Sequence, residues 1–167
     1  MGQYGFLLRT NLENVALFDI TPKVGGGVEG RRKPKAQWAI TIDGIEGFAE
    51  YLTPVHDYAY NQIFIGNAMK ILPTIADRSY ELVLAIDIIE HLDKADGEFF
   101  AHHLRRIASR MALISTPKSF IEQQVEANPL EDHRSLWSRD DLQRLGFGNL
   151  VADEVSWIGC SLQAAHL

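Results

Sequence analysis

The sequence predicts an α/β fold: a mostly parallel sheet flanked by helices, with an antiparallel edge at its C-terminal end. Three observations predict it. Short apolar, strand-like runs alternate with helical segments along the chain, the pattern of parallel strands joined by right-handed crossovers. The run YELVLAIDII (80–89) is almost unbroken in its apolar character, as a strand buried on both faces of a parallel sheet must be. Two strand-like pieces in direct succession, LVADEVSW and IGCSLQAAHL, then close the chain, which suits an antiparallel hairpin.

The elements follow in order. Residues 4–13 place Phe6, Leu7 and Leu12 at helical spacing and predict a helix. VALFDI (15–20) reads as a short strand. Residues 21–35 carry Pro22, Gly25, Gly26, Gly27, Gly30 and Pro34 among basic residues that include Arg31, Arg32 and Lys33, and predict a mobile surface loop. WAITIDGIE (38–46) alternates β-branched residues and predicts a strand, and GFAEYL (47–52) a helical turn stopped by Pro54. QIFIG (62–66) is the next strand, and residues 68–75 a short helix interrupted by Pro73. Residues 95–109 are amphipathic, with Phe99, Phe100, Leu104 and Ile107 on one side and Arg105 and Arg106 opposite. MALIST (111–116) is another buried strand. After an irregular stretch, 118–137, Ser138 and Asp141 form a capping pair for a helix that Gly146 ends.

Length and composition narrow the function classes. With 167 residues, 46% of them hydrophobic and 23% charged, the chain is a globular one expected to form a single domain, 1–167. Its 16 basic and 22 acidic residues give a net charge of −6, which disfavours nucleic-acid and anionic-membrane partners, since both reward a basic face. The lone Cys160 excludes an internal disulfide and a multi-cysteine zinc site and suits a cytoplasmic setting. No apolar stretch is long enough to span a bilayer, and no signal peptide is predicted.

In open parallel sheets, ligands bind beyond the carboxyl ends of the strands. The strand ends here are Asp43 to Glu46, Gly66–Asn67, Asp87 to His91, and Thr116–Pro117. An acid such as Glu46 can accept both hydroxyls of a ribose, Asn67 can pair with an adenine edge, and Asp87 can face a cationic or amino-bearing ligand. The alternative for Asp87 is local: with Glu90 it makes an Asp-x-x-Glu pattern that caps a helical turn.

The block YELVLAIDIIEHL (80–92), a helix ending LRRIAS and the strand MALISTP together resemble the core of class I S-adenosylmethionine-dependent methyltransferases, from about Trp38 to Phe147. The resemblance implies a Rossmann-like fold and S-adenosylmethionine as cofactor. It puts Glu46 at the ribose, with Asp43 second in rank, Asn67 and Ala68 at the adenine, and Asp87 near the amino-acid part or the sulfonium. The family's Asp/Glu-x-Gly-x-Gly-x-Gly loop is represented only by its tail, with Gly2 as the last glycine. The family's first, central strand is then missing. A misplaced start, a naturally shortened member, or VALFDI with Gly25 to Gly27 as a substitute would each account for this; truncation at the N-terminus fits best, because VEGRRKPK is no helix start. Sheet edges left open in this way would favour a homodimer.

No residue announces itself as catalytic. His91 and His133 are the candidates for a general base, and Trp137 reads as packing. His102 and His103 are adjacent on a helix and point apart, no His pair falls at i and i+4, and no metal site is predicted. Ser115 and Ser119 lack a nucleophile-elbow setting, and no phosphate-binding Gly-Lys-Ser/Thr loop is present. The expected function is methyl transfer to an unknown acceptor, a small molecule before a nucleic acid. The alternative is a methyltransferase-like domain without catalysis that acts as a binding or scaffold module. A dinucleotide enzyme ranks below both, because no Gly-x-Gly-x-x-Gly follows a strand.

Overall fold

The structure is a computed structural model that describes residues 2–13, 18–26, 28–32 and 34–164. It divides into two compact units, residues 1–66 and 67–167.

The first unit opens with helix α1, Gln3–Leu12. The helix forms where the sequence predicts one, but its buried face differs. Phe6, Leu7 and Leu12 are exposed, and the buried residues are Gly5 and Arg9. Gly5 is required there by close approach: its N–H donates to the Tyr60 hydroxyl at 3.1 Å, and a Cβ would fall 2.1 Å from the Tyr60 ring. Arg9 is fully buried. It donates to the carbonyls of Ala59 and Ile40, to Asn61 Oδ1 at 2.6 Å and to Glu13 Oε2 at 3.0 Å, and its guanidinium lies 3.9 Å from the Trp38 ring centroid. Polar anchoring thus replaces the apolar stripe that spacing alone suggests.

Strands β1 (Phe18–Pro22) and β2 (Val28–Arg32) form an antiparallel hairpin, with Phe18 opposite Arg32 and Pro22 opposite Val28. The segment 21–35, read from composition as a loop, therefore carries ordered pairing: backbone hydrogen bonds across a glycine turn suffice even where no apolar face exists to signal a strand. Residues 15–17 of the expected strand and Gly27 lie outside the described residues. Strand β3 is confined to Asp43–Glu46, shorter than the 38–46 expected, and pairs in parallel with β4, Gln62–Ile65. Between them Pro54 opens helix α2 (Pro54–Ala59), where its missing N–H costs nothing in the first turn; Thr53 and His56 form the capping box. The sequence reading of Pro54 as a stop missed this start.

The second unit holds helix α3 (Ala68–Ile71), strand β5 (Tyr80–Ile86), helix α4 (Lys94–Ile107), strand β6 (Ala108–Pro117), helix α5 (Arg139–Arg144), and strands β7 (Gly148–Ala152) and β8 (Ser156–Leu162). The sheet order is β5-β6-β8-β7. The β5/β6 pair is parallel, and β8 runs antiparallel to both neighbours, which is the expected antiparallel C-terminal edge. Among the described residues, β5 pairs only with β6 and is half-buried apart from exposed Glu81 and buried Ala85, less enclosed than its apolar run predicts.

Helix α4 starts at Asp93, whose side chain accepts from Asp96 N–H at 2.9 Å, and buries Phe100, Ala101, Leu104 and Ile107. Each of the three large side chains contributes about 1.5–3 kcal/mol by leaving water. Phe99, assigned to the same side by spacing, is 42% exposed, at the edge of the stripe. The core of the unit is completed by Ile114, Trp137, Leu142 and Phe147. Gly97 lets Trp137 lie against α4, since a Cβ there would meet the indole at 2.2 Å. Among the described residues, no helix is long and apolar enough to cross a membrane.

Candidate functional site

In the first unit, Glu46 closes β3. Its Oε1 accepts the Phe48 N–H at 2.9 Å, fixing the carboxylate at the carboxyl end of the strand. Asp43 sits at the opposite, amino end, on the order of 10 Å away at about 3.3 Å per residue. The two acids cannot serve one strand-end site, and Glu46 is the one at the carboxyl end. Gly2 caps α1 with φ +77°, and a Cβ there would press on the His56 ring at 3.1 Å. Burial, and secondarily the charge of Glu46, push the Tyr60 phenol upward, against the opposing Gly5 N–H.

In the second unit, Asn67 is the N-cap of α3: its Oδ1 accepts from Met69 N–H at 2.8 Å, and Ala68 is the first helical residue. Asp87 follows β5 directly in the left-handed region, φ +51°. That conformation is costly for a residue with a Cβ and is held here by Ser115 of β6. The Asp87 N–H donates to Ser115 Oγ at 3.1 Å and to the Ser115 carbonyl at 3.2 Å, while Ser115 Oγ donates to Asp87 Oδ1 at 2.6 Å. The carboxylate is exposed beyond the strand end. Asp87 is no cap, because the following 3-10 turn, Ile89–His91, has none from a side chain.

Within that turn Glu90 is 3% exposed; its Oε2 makes no close hydrogen bond, and the buried Thr116 hydroxyl on β6 is a side chain that interacts with its carboxyl. Burial pushes the Glu90 carboxyl up to about 7, and the negative charge of Asp87 acts in the same direction. The Glu90 carbonyl accepts from the N–H groups of Arg134 and Ser135 at 2.8 and 3.1 Å, and Trp137 Nε1 donates to the Ile89 carbonyl at 3.1 Å. These bonds draw the irregular segment against the turn and bring His133 beside His91, ring centroids 5.0 Å apart. Burial lowers His91, and the neighbouring His133 adds to the effect. His91 Nδ1 lies 3.3 Å from the Asp132 carbonyl, and His133 Nδ1 2.6 Å from the Ile121 carbonyl. One donor atom each from Glu90, His91 and His133 falls within 4.8 Å of the others. Spacing alone predicts no metal site, because the third donor arrives from a distant, irregular segment. The sequence points to His91 and His133 as candidates, and to Glu90 only as a capping partner. The signal that could have found it is a carboxylate inside the apolar run that flanks β5.

The sheet order, the parallel pairs and the antiparallel edge define a known architecture. Among solved structures, the PH0226 protein of Pyrococcus horikoshii OT3 is similar at TM-score 0.53 and 14% identity over 77% of this chain and 74% of that one. A SAM-dependent methyltransferase of Archaeoglobus fulgidus is similar at 0.52 and 11% identity over 77% and 78%. A DhpI–SAH complex is similar at 0.53 and 10% identity over 72% and 64%. The fold is that of class I S-adenosylmethionine-dependent methyltransferases. No protein-family model matches the chain, and no curated protein matches it. Within this methyltransferase fold, Gly2 and Glu46 belong to the first unit, and Asn67, Ala68, Asp87, His91 and His133 to the second.

Proposed function

We propose that the chain is an S-adenosylmethionine-dependent methyltransferase. The observation that carries this reading is the Asp87 turn: an exposed carboxylate, fixed by Ser115 at the carboxyl end of a parallel strand, on a fold shared with a SAM-dependent methyltransferase. The donor set fits the cofactor. In the second unit, Asp87 offers an anion of the kind that meets the amino-bearing methionine part, and Asn67 with Ala68 stands for the adenine edge; in the first unit, taken by itself, Glu46 offers acceptor oxygens of the kind that meet ribose hydroxyls, and Gly2 a place for close backbone approach. S-adenosylmethionine, when bound, would supply an electrophilic methyl group for transfer to a nucleophile. The chain itself need only hold and orient the reactants. An acceptor that must shed a proton would find it taken by Nε2 of His91 or His133, because each Nδ1 faces a backbone carbonyl. The acidic balance favours a small-molecule acceptor.

Calorimetric titration with S-adenosylmethionine and S-adenosylhomocysteine tests the reading. Saturable 1:1 binding that weakens in Asp87→Ala and in Glu46→Ala supports it. Absence of binding in the folded wild-type chain overturns it in favour of a methyltransferase-like scaffold domain.

A further inference from the structure

We propose that Glu90, His91 and His133 form a binding site for a first-row divalent transition-metal cation. Three independent features of the second unit carry the proposal.

The donor chemistry is right. One carboxylate oxygen and two imidazole nitrogens are the set that zinc and non-haem ferrous sites use with positions left open, and imidazole selects against magnesium and calcium. The tautomers are right as well. A ligating histidine commonly donates its second ring N–H to a carbonyl, which fixes the ring and directs the other nitrogen at the metal. Both histidines have that arrangement: His91 Nδ1 faces the Asp132 carbonyl, and His133 Nδ1 the Ile121 carbonyl, so Nε2 is the free donor in each. Finally, Glu90 is buried with no close hydrogen bond to Oε2 and with the neutral Thr116 hydroxyl beside its carboxyl, so among the described residues its negative charge is uncompensated by any positive group there and a cation would relieve the cost.

The present spacing is slightly open. Donor atoms within 4.8 Å of one another compare with about 3.4 Å across a tetrahedral zinc site with bonds of about 2.0–2.1 Å, so the cation draws its ligands inward by roughly 1 Å. The segment carrying His133 is irregular backbone and can supply that movement. Three protein ligands leave at least one position for water or an acceptor oxygen, the composition of a site that meets substrate rather than a closed structural one. A bound cation occupies the same Nε2 lone pairs a general base would use, so the two roles exclude each other.

The test needs neither cofactor nor acceptor, so its outcome is separate from that of the methyltransferase reading. The metal-free full chain is titrated with Co²⁺, followed by ligand-field absorption, and with Zn²⁺ by calorimetry. The expected result is one equivalent bound by the wild type, with affinity lower by at least about tenfold in His133→Ala and in Glu90→Gln. The double variant His102→Ala/His103→Ala, which removes the histidine pair on α4, keeps the site. Glu90→Gln preserves shape and removes a buried charge, so a retained melting transition shows that lost binding is not lost folding. No saturable binding, or binding that survives both His133→Ala and Glu90→Gln, overturns the proposal.

Discussion

At the scale of single residues, the clearest consequence of this structure is that burial is bought with polar partners. Arg9 and Glu13 form an ion pair with both side chains fully buried, and Glu13 also accepts the Ala39 N–H at 2.7 Å. Removing one member strands the other without water. Arg9→Met is expected to destabilise the chain by about 3–5 kcal/mol, seen as a lower denaturant midpoint, and Arg9→Lys to recover little of it, because an ammonium cannot reproduce the fork of donors. A midpoint for Arg9→Met within error of wild type would refute the anchoring role. Gly5 makes the steric version of the same point. Gly5→Ala drives a Cβ into the Tyr60 ring and should cost about 1–3 kcal/mol by the same measurement. Ser115 is different, since its side chain serves the shape of the Asp87 turn. Ser115→Ala should leave the midpoint close to wild type while weakening S-adenosylhomocysteine binding about tenfold, roughly 1.4 kcal/mol, by calorimetry.

Elements show how much of the molecule the sequence carries and where it falls silent. Helix α5 was fully legible. Ser138 accepts from the Asp141 N–H at 3.1 Å, Asp141 Oδ2 accepts from the Ser138 N–H at 2.9 Å, and Gly146 ends the segment at φ +85°. Capping is local chemistry, so local sequence specifies it. Helix α4 and strands β4, β5 and β6 were legible for the same kind of reason, periodicity and apolar runs. The buried face of α1 was not, because Arg9 is inside only through partners far along the chain at Ala59 and Asn61. Of the hairpin, the part of β1 at Phe18–Ile20 is legible in VALFDI, whereas β2 escaped detection because VEGRR carries no apolar alternation. The candidate site divides likewise: Asp87 is visible as the residue that ends an apolar run, while the meeting of Glu90, His91 and His133 depends on a loop whose path is set by hydrogen bonds to the Glu90 carbonyl. The α5 cap carries its own prediction. Burial pushes the Asp141 carboxyl up, but the Ser138 N–H and hydroxyl and the Lys94 ammonium outweigh it and hold the group below its ordinary range. A depressed folded-state pKa means the contribution is present above the unfolded value, about 3.9, and disappears as pH falls through the folded one. Asp141→Asn should therefore lower the melting temperature at pH 7 by a few degrees, on the scale of about 1 kcal/mol for a lost cap, and the gap from wild type should narrow in acid. A gap that is the same at pH 7 and in strong acid would show that the charge of Asp141 is not what holds the helix start.

For the whole molecule, the methyltransferase reading becomes a statement about linkage. A ligand that binds the folded chain and not the unfolded one adds about 2.7 kcal/mol at a free concentration of 100 Kd. For a chain of this size each kcal/mol corresponds to roughly 2–4 °C in Tm, so saturating S-adenosylhomocysteine should raise the transition by about 5–10 °C. At a fixed ligand concentration the stabilisation follows the ratio of that concentration to Kd, which separates ligand-binding residues from structural ones in a single series. Glu46→Ala should start from nearly the wild-type Tm, since its carboxylate ends a strand rather than filling the core, and Asp87→Ala somewhat lower, since it loses the Ser115 bond that helps hold a left-handed residue; both should show a reduced shift at the same ligand concentration. Gly5→Ala should behave in reverse, starting low yet keeping the full increment, because Tyr60 packing is not where the ligand gains its energy. A wild-type chain whose melting is indifferent to S-adenosylhomocysteine at millimolar concentration would overturn the methyltransferase reading, because a ligand bound by the folded chain alone must raise its transition.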